Sequence, residues 1–197
     1  TFAAGACLTA VSMAFSQAAA AAWVSGAPML TERSQHAGAL LDDGTFAVFG
    51  GVNRAGFVAT AERLTGNVWS SIGSVVITGN VMESVTLGTG QVLVRSDGSL
   101  LSRLYDPVSN SWSDVGVQSV TRSMPSMTLL ADGKVLLAGG VGSGGVRETS
   151  AEIYDPRTRT WTMTGSMAMG RNAHAAVLMH DGRVLVASGF GGAGEVL

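Results

Sequence analysis

Cysteine is nearly absent from this chain of 197 residues, where Cys7 stands alone. An intrachain disulfide and a cysteine-rich zinc site are both excluded on that count. Charge is scarce as well: charged residues make up 13% of the chain, about half of the ~25% usual in globular proteins. The formal net charge of −2 comes with no clustered basic face, so no nucleic-acid partner is expected. Helical periodicity is missing too, and the apolar runs are short. Glycine, by contrast, is plentiful at 27 residues. With abundant Val, Thr and Ser it describes a chain of short strands and many turns.

Residues 1–22, TFAAGACLTAVSMAFSQAAAAA, carry no charge, and the first charged residue is Glu32. An apolar stretch ending in Ala-x-Ala triplets has the form of a secretory signal peptide, here without its basic n-region or an initiator Met. We read 1–22 as a truncated signal with cleavage near Ala22. Gly5, Ser12, Ser16 and Gln17 make the stretch too weakly hydrophobic and too short for a membrane span. A lipoprotein anchor at Cys7 would want a polar tether, and an apolar run follows instead. The mature chain is therefore expected to be exported (extracellular, periplasmic or at the cell surface) and to have no membrane span. A chain without Cys after position 7 suits that destination.

Four tryptophans, Trp23, Trp69, Trp112 and Trp161, are spaced by 46, 43 and 49 residues. Twenty-one residues after each comes a glycine: Gly44, Gly90, Gly133 and Gly182. Three of these follow an aspartate (Asp43, Asp132, Asp181), and Thr89 precedes the other. Ten residues after the tryptophans come Arg33, Gly79, Arg122 and Arg171, and thirteen after them His36, Met82, Pro125 and His174. Such coincident spacings define a tandem array. Each unit reads as four short strands. HAGALL or HAAVLM leads into the Asp-Gly turn, whose two residues both tolerate positive φ. TFAVFGG, QVLVRS, KVLLAGG or RVLVASG follows as the second strand, then a variable loop. The third strand is TAERL, LLSRLYDP or TSAEIYDP, and the fourth carries the tryptophan. In the Tyr105-Asp106-Pro and Tyr154-Asp155-Pro segments the Asp and Pro open a turn. Four-stranded units at this period indicate propeller blades.

The array R-x-x-H, DG-[KR]-V-L-[LV], GG, A-E-I-Y-D-P, T-W resembles the kelch repeat over residues 23–197. The second repeat is degenerate, with Gly79 for Arg, Met82 for His and Arg95-Ser96 in place of Gly-Gly. The resemblance implies an all-β, kelch-type β-propeller, here partial. It would hold about three complete four-stranded blades plus two strands of a fourth, the chain stopping in the variable loop GFGGAGEVL. Innermost strands would start near the Arg, and outermost strands would carry the Trp. An open array leaves apolar faces and strand edges exposed, so missing blades or a second copy would be needed to close the ring.

The chemical candidates each face a structural alternative. Arg33, Arg122 and Arg171 either grip a carboxylate or sugar hydroxyls at the channel mouth or form ion pairs between blades with Glu62 or Glu152. His36 and His174 are expected to tie strand starts together rather than to bind metal, because Met82 and Pro125 fill the same slot elsewhere. His180 is expected to face solvent. Gly140-x-Gly142-x-x-Gly145 and Gly189-x-Gly191-x-x-Gly194 match the dinucleotide fingerprint, but no helix of useful length can follow them. The aspartates read as turn residues, with no carboxylate pair set for glycoside cleavage and no nucleophile elbow. Kelch-type copper-radical oxidases need a Cys cross-linked to a Tyr; the lone Cys lies in the leader. The tryptophans are expected to be packing anchors. No cofactor and no metal are expected. The resulting expectation is a non-enzymatic, exported binding or scaffolding module recognising a protein or glycan through blade-connecting loops. The alternative is the propeller part of a secreted enzyme whose catalytic residues lie outside this chain.

Overall fold

A hairpin opens each blade, through an Asp-Gly turn in the first, third and fourth. The computed structural model describes residues 25–75, 82–191 and 195–196. The leader 1–22, Trp23 and Gly79 lie outside the described residues. In the turns only the glycine takes positive φ, 79° at Gly44, 83° at Gly133 and 85° at Gly182. The preceding aspartate, to which the sequence also assigned that tolerance, acts differently. Its Oδ1 accepts the backbone N–H two residues on, at 3.0 to 3.1 Å from Thr45, Lys134 and Arg183. Gly44 N donates to Leu41 O at 2.9 Å and Leu41 N to Thr45 O at 2.8 Å. This is a three-residue hairpin loop with glycine in its left-handed slot.

In the first sheet β1 (Ala37–Leu40) and β2 (Phe46–Phe49) form the hairpin. The loop after them carries a small ribbon that the sequence did not announce, β3 (Val52–Asn53) with β4 (Gly56–Phe57). Next come β5 (Thr60–Thr65) and β6 (Val68–Ser74), completing the antiparallel order β1-β2-β5-β6. The second sheet holds β7 (Met82–Thr86), β8 (Val92–Ser96), β9 (Ser102–Asp106) and β10 (Ser111–Asp114). The third holds β11 (Ser126–Leu129), β12 (Val135–Ala138), β13 (Ala151–Asp155) and β14 (Thr160–Thr164). First strands adjoin one another, β1 against β7, β7 against β11 and β11 against β15 (Ala175–Leu178). The sheets thus radiate from a common axis as blades, and the described sheets do not close a ring.

Two sequence expectations are corrected by the ladders. The fourth blade has a third strand: after β15 and β16 (Val184–Ala187) comes β17 (Glu195–Val196), with Val186 opposite Glu195 and Leu185 opposite Val196. The segment taken as variable loop therefore already re-enters the sheet. In the second blade Glu83 pairs Arg95 as Ala37 pairs Phe49 and Ser126 pairs Ala138. Arg95 thus stands at the Phe49 and Ala138 position one residue before the Gly-Gly site, and that site is filled by Ser96-Asp97.

The core lies between blades. One cluster joins Ala39, Ala47 and Phe49 of the first blade to Val92, Val94 and Tyr105 of the second, with Trp112 against it. A second joins Leu87 and Leu93 to Val135, Leu137, Tyr154 and Trp161. A third joins Leu136, Ala138 and Met167 to Val184 and Val186. Each of the three described tryptophans lies opposite the aromatic or aliphatic residue of the third strand, Trp69 across from Leu64, Trp112 from Tyr105 and Trp161 from Tyr154. Trp112 and Trp161 pack there toward the blade before their own. Tyr105 and Trp112 centroids are 5.0 Å apart, and Tyr154 and Trp161 5.2 Å. Trp112 Nε1 donates to Ile72 O of the previous blade at 3.2 Å.

Glycine at the Gly-Gly site is required by close approach. A Cβ on Gly139 would sit 2.5 Å from Arg171 O, and one on Gly140 2.9 Å from Arg122 Cβ. Gly140 N donates to Arg171 O at 2.8 Å, so the pair admits the backbone of the next blade. Only a three-residue 3₁₀ turn, Ser143–Gly145, follows it.

Trp161→Ala should lower unfolding stability by about 3–5 kcal/mol, read from urea denaturation followed by circular dichroism. A loss below about 1 kcal/mol would mean that the ring is not an inter-blade anchor.

Candidate functional site

Three groups of polar residues interrupt these apolar interfaces. The first is the set of repeat arginines. Arg122 and Arg171 are fully buried, as is the side chain of Arg33. Arg33 Nη1 donates to Gly50 O at 2.9 Å and Thr60 O at 2.6 Å, and its other terminal nitrogen pairs with Glu62. Arg122 repeats the pattern: Nη1 donates to Gly139 O at 2.9 Å and Ser150 O at 2.7 Å, and Nη2 lies 3.3 Å from Glu152 Oε1. Arg171 Nη1 donates to Ser188 O at 3.0 Å. These guanidinium groups point into the chain rather than to solvent, and two of them make ion pairs with the carboxylates named from sequence. The pairs lie within a repeat, not between blades.

Each carboxylate also caps the segment leading into its blade. Glu62 accepts Leu30 N and Thr31 N at 2.7 and 3.0 Å, and Glu152 accepts Ser119 N at 2.7 Å. What crosses to the preceding blade is the arginine's own carbonyl. Arg171 O takes Gly140 N, and Arg122 O takes Gly98 N at 3.3 Å.

The histidines sit where strand starts converge. His174 Nε2 and Ser126 Oγ of the neighbouring blade are 2.8 Å apart. Burial and the nearby arginine hold His174 below the usual histidine range, and the same two causes lower His36. His180 is exposed.

The second group replaces the first in the degenerate blade. Ladder register puts Arg103 where blades one and three have Glu62 and Glu152, and Gly79 stands where they have Arg33 and Arg122. Both halves of the ion pair have gone together. Arg103 Nε instead pairs with Asp114 at 2.9 Å, with its guanidinium 5.9 Å from the Trp112 ring centre. A different arginine, the fully buried Arg95, reaches Glu83 Oε2 at 2.8 Å and Arg122 O at 2.6 Å.

The third group lines a cleft of about 440 Å³ between the turns of the first two blades. Asp42, Asp43 and Asp106 face it, with Gln91, Leu41, Pro107 and Val108. Hydrogen bonds from Thr45, with Arg63 beside it, hold Asp43 below the usual carboxylate range. Asp106 is lowered by the Ser109 N–H and by Gln91. In the third blade Lys134 occupies the Gln91 position and lies 3.5 Å from Asp155 and 3.9 Å from Asp132. Glutamine cannot supply that charge, so among the described residues this cleft keeps three carboxylates against one cation, Arg63.

Residues 129–168 match the Kelch motif. The match runs from the end of β11 through β12, β13 and β14, the blade in which the Asp-Gly turn, Gly-Gly pair, Tyr154, Asp155 and Trp161 are all present. The fold is accordingly a partial propeller of the kelch type. Kelch repeats are generally non-catalytic scaffolds that mediate protein interactions. No curated protein matches the chain. Among the described residues no helix is long and apolar enough to cross a membrane.

Of the kelch positions read from sequence, Gly44, Gly90, Gly133 and Gly182 sit in the hairpin loops. Tyr105 and Tyr154 are fully buried. Asp106 and Asp155 anchor the third-strand turns by accepting Val108 N and Arg157 N, each at 2.9 Å. The cleft and the Arg95 cluster do not show in the repeat spacing because both are built from departures from the repeat. Gln91 for Lys and Arg95 for an apolar residue were the available signals.

Arg122→Ala leaves Glu152 buried and without its guanidinium, and should cost about 3–5 kcal/mol. Arg122→Met combined with Glu152→Leu should recover only the part owed to the uncompensated charge, because Gly139 O, Ser150 O and Ser119 N lose their partners in it. Chemical denaturation of the two variants checks it, and a double variant no better than the single one would refute the pairing.

Proposed function

We propose that this chain is a non-enzymatic, exported binding module, and that its partner is a protein presenting a lysine or arginine side chain to the cleft between the first two blades. The observation that carries this reading is the uncompensated charge there: three carboxylates, apolar surface from Leu41, Pro107 and Val108, and one guanidinium. Ligand sites commonly occupy a few hundred Å³ and combine apolar walls with a few convergent polar groups. A basic side chain lays its methylenes on such walls while its head reaches a carboxylate. The arginines that prompted the expectation of an acidic or sugar ligand are buried and turn terminal nitrogens to carbonyls of the chain, so the specificity is assigned to the acidic turns. A glycan is the alternative ligand of the same module.

Export is supported by the uncharged stretch 1–22 with its Ala-x-Ala end. Further blades or a second copy are proposed to cover the outer faces. Phe46 is 38% exposed on the first blade, whereas its counterparts Val92 and Val135 are fully buried; on the fourth blade Val177 is 56% exposed.

Titration of a fluorescent lysine-rich peptide should give saturable binding that weakens with salt. Asp42→Asn with Thr89→Lys, both exposed positions, should weaken it at least about tenfold, or ~1.4 kcal/mol. Equal affinity in parent and variant sinks the cleft assignment, and binding of a neutral glycan unaffected by the variant would place recognition elsewhere. Independently, native protein recovered outside the cytoplasm should begin near Ala22 or Trp23 on N-terminal sequencing. Recovery in the cytoplasm with the leader retained would overturn export.

A further inference from the structure

The degenerate blade has exchanged a fixed ion pair for a cluster with one carboxyl group too many. In the first and third blades one guanidinium meets one carboxylate, Arg33 with Glu62 and Arg122 with Glu152. In the second, Arg95 Nη1 lies 2.8 Å from Glu83 Oε2 and 3.7 Å from Asp97 Oδ1. The side chains of Glu83 and Asp97 are also within hydrogen-bonding reach of each other. All three are largely removed from solvent, with side-chain exposures of 0% for Arg95, 18% for Glu83 and 11% for Asp97. Two carboxylates cannot both stay ionised at such range and burial on one guanidinium without a large like-charge cost. A single proton shared between them removes it.

The cluster also crosses a blade boundary. Arg95 Nη2 donates to Arg122 O at 2.6 Å, and Asp97 Oδ1 accepts Met124 N at 3.0 Å. Both partners lie in the segment leading into β11 of the third blade. Among the described residues the strands flanking Glu83, β1 (AGAL) and β11 (SMTL), carry no ionisable side chain. Arg122 lies behind Arg95, and His36 and His174 head the strands β1 and β15.

We propose that Glu83, Arg95 and Asp97 form a proton-dependent clasp between the second and third blades. It is closed while Glu83 carries a proton and donates it to Asp97, and loosened when that proton leaves. With Glu83 neutral, Asp97 keeps its charge for Arg95 and Met124 N, and Arg95 keeps its bond to Arg122 O. With Glu83 ionised, two anions draw on one cation and the link across the boundary weakens.

Burial pushes the Glu83 carboxyl up from 4.5 to about 7, against the opposing pull of Arg95, and burial raises Asp97 as well. A carboxyl raised on folding contributes stability that is full below its unfolded value and is lost as pH rises through its folded value. The window is therefore about 4.5 to 7 and slightly above. The lowered histidines act with the opposite sign, losing stability as pH falls below about 6.5. Stability of the parent protein alone would mix the two.

The test is Glu83→Gln, whose amide keeps a donor toward Asp97 and an oxygen toward Arg95 but cannot ionise. Melting temperatures of parent and E83Q are compared at pH 5 and pH 8. The two should nearly coincide at pH 5, and E83Q should melt several degrees above the parent at pH 8. Amide exchange at Met124, corrected for its intrinsic pH dependence, should speed up severalfold in the parent between these values and stay level in E83Q. The same difference between the two proteins at both pH values overturns the proposal. Should E83Q fail to fold, carbon NMR of the Glu83 side-chain carboxyl in the parent decides: a midpoint above about 6 supports the clasp, and one near the ordinary glutamate value refutes it.

Discussion

The second strands of the second and third blades, β8 and β12, are buried on both of their faces, and that one constraint governs the rest. A blade has no outside until another blade lies on it. The three clusters of buried side chains fall between sheets rather than within them, so stability is held in the junctions. Trp112 and Trp161 of the outer strands, Tyr105 and Tyr154 across from them, and the valines of the second strands all serve that contact. The polar equipment is confined to the rims: hairpin loops at one end, strand starts and lead-in segments at the other.

At the strand-start end the arginines do work that apolar side chains cannot. A lead-in segment crosses from one blade to the next with backbone groups that need partners away from water. Arg33 and Arg122 collect carbonyls from their own blades, while Glu62 and Glu152 take the N–H groups of the segment beside them. The resulting unit is a polar plug at the inner end of an apolar interface. Its repetition explains why Arg and Glu, far apart in sequence, are lost together in the second blade. A guanidinium without its carboxylate would stay buried and uncompensated.

Repeat spacing made the four-stranded units and their strand order legible, because these follow from positions that every repeat shares. It was less informative wherever one repeat departs from the others. GFGGAGEVL reads as loop by its glycines, yet Glu195 falls at the register position of Glu62 and Glu152 and starts a strand. By sequence Arg95 falls one residue late, because its neighbours Ser96 and Asp97 resemble no other blade. The arginines were readable as polar and recurrent, but whether a guanidinium faces solvent or a carbonyl depends on lead-in segments that share no motif. The acidic cleft arises from a substitution, Gln91 for a lysine, whose meaning appears only when two blades are side by side.

The direction in which the tryptophans pack has a consequence for synthesis. Trp112 lies on the blade before its own, as Trp161 does one repeat later. A blade emerging from the ribosome therefore keeps one apolar face open until the outer strand of the following repeat has been made, 43 to 49 residues after its own tryptophan. Folding in step with translation is always one repeat in arrears, and the nascent chain carries a single uncovered sheet forward as it grows.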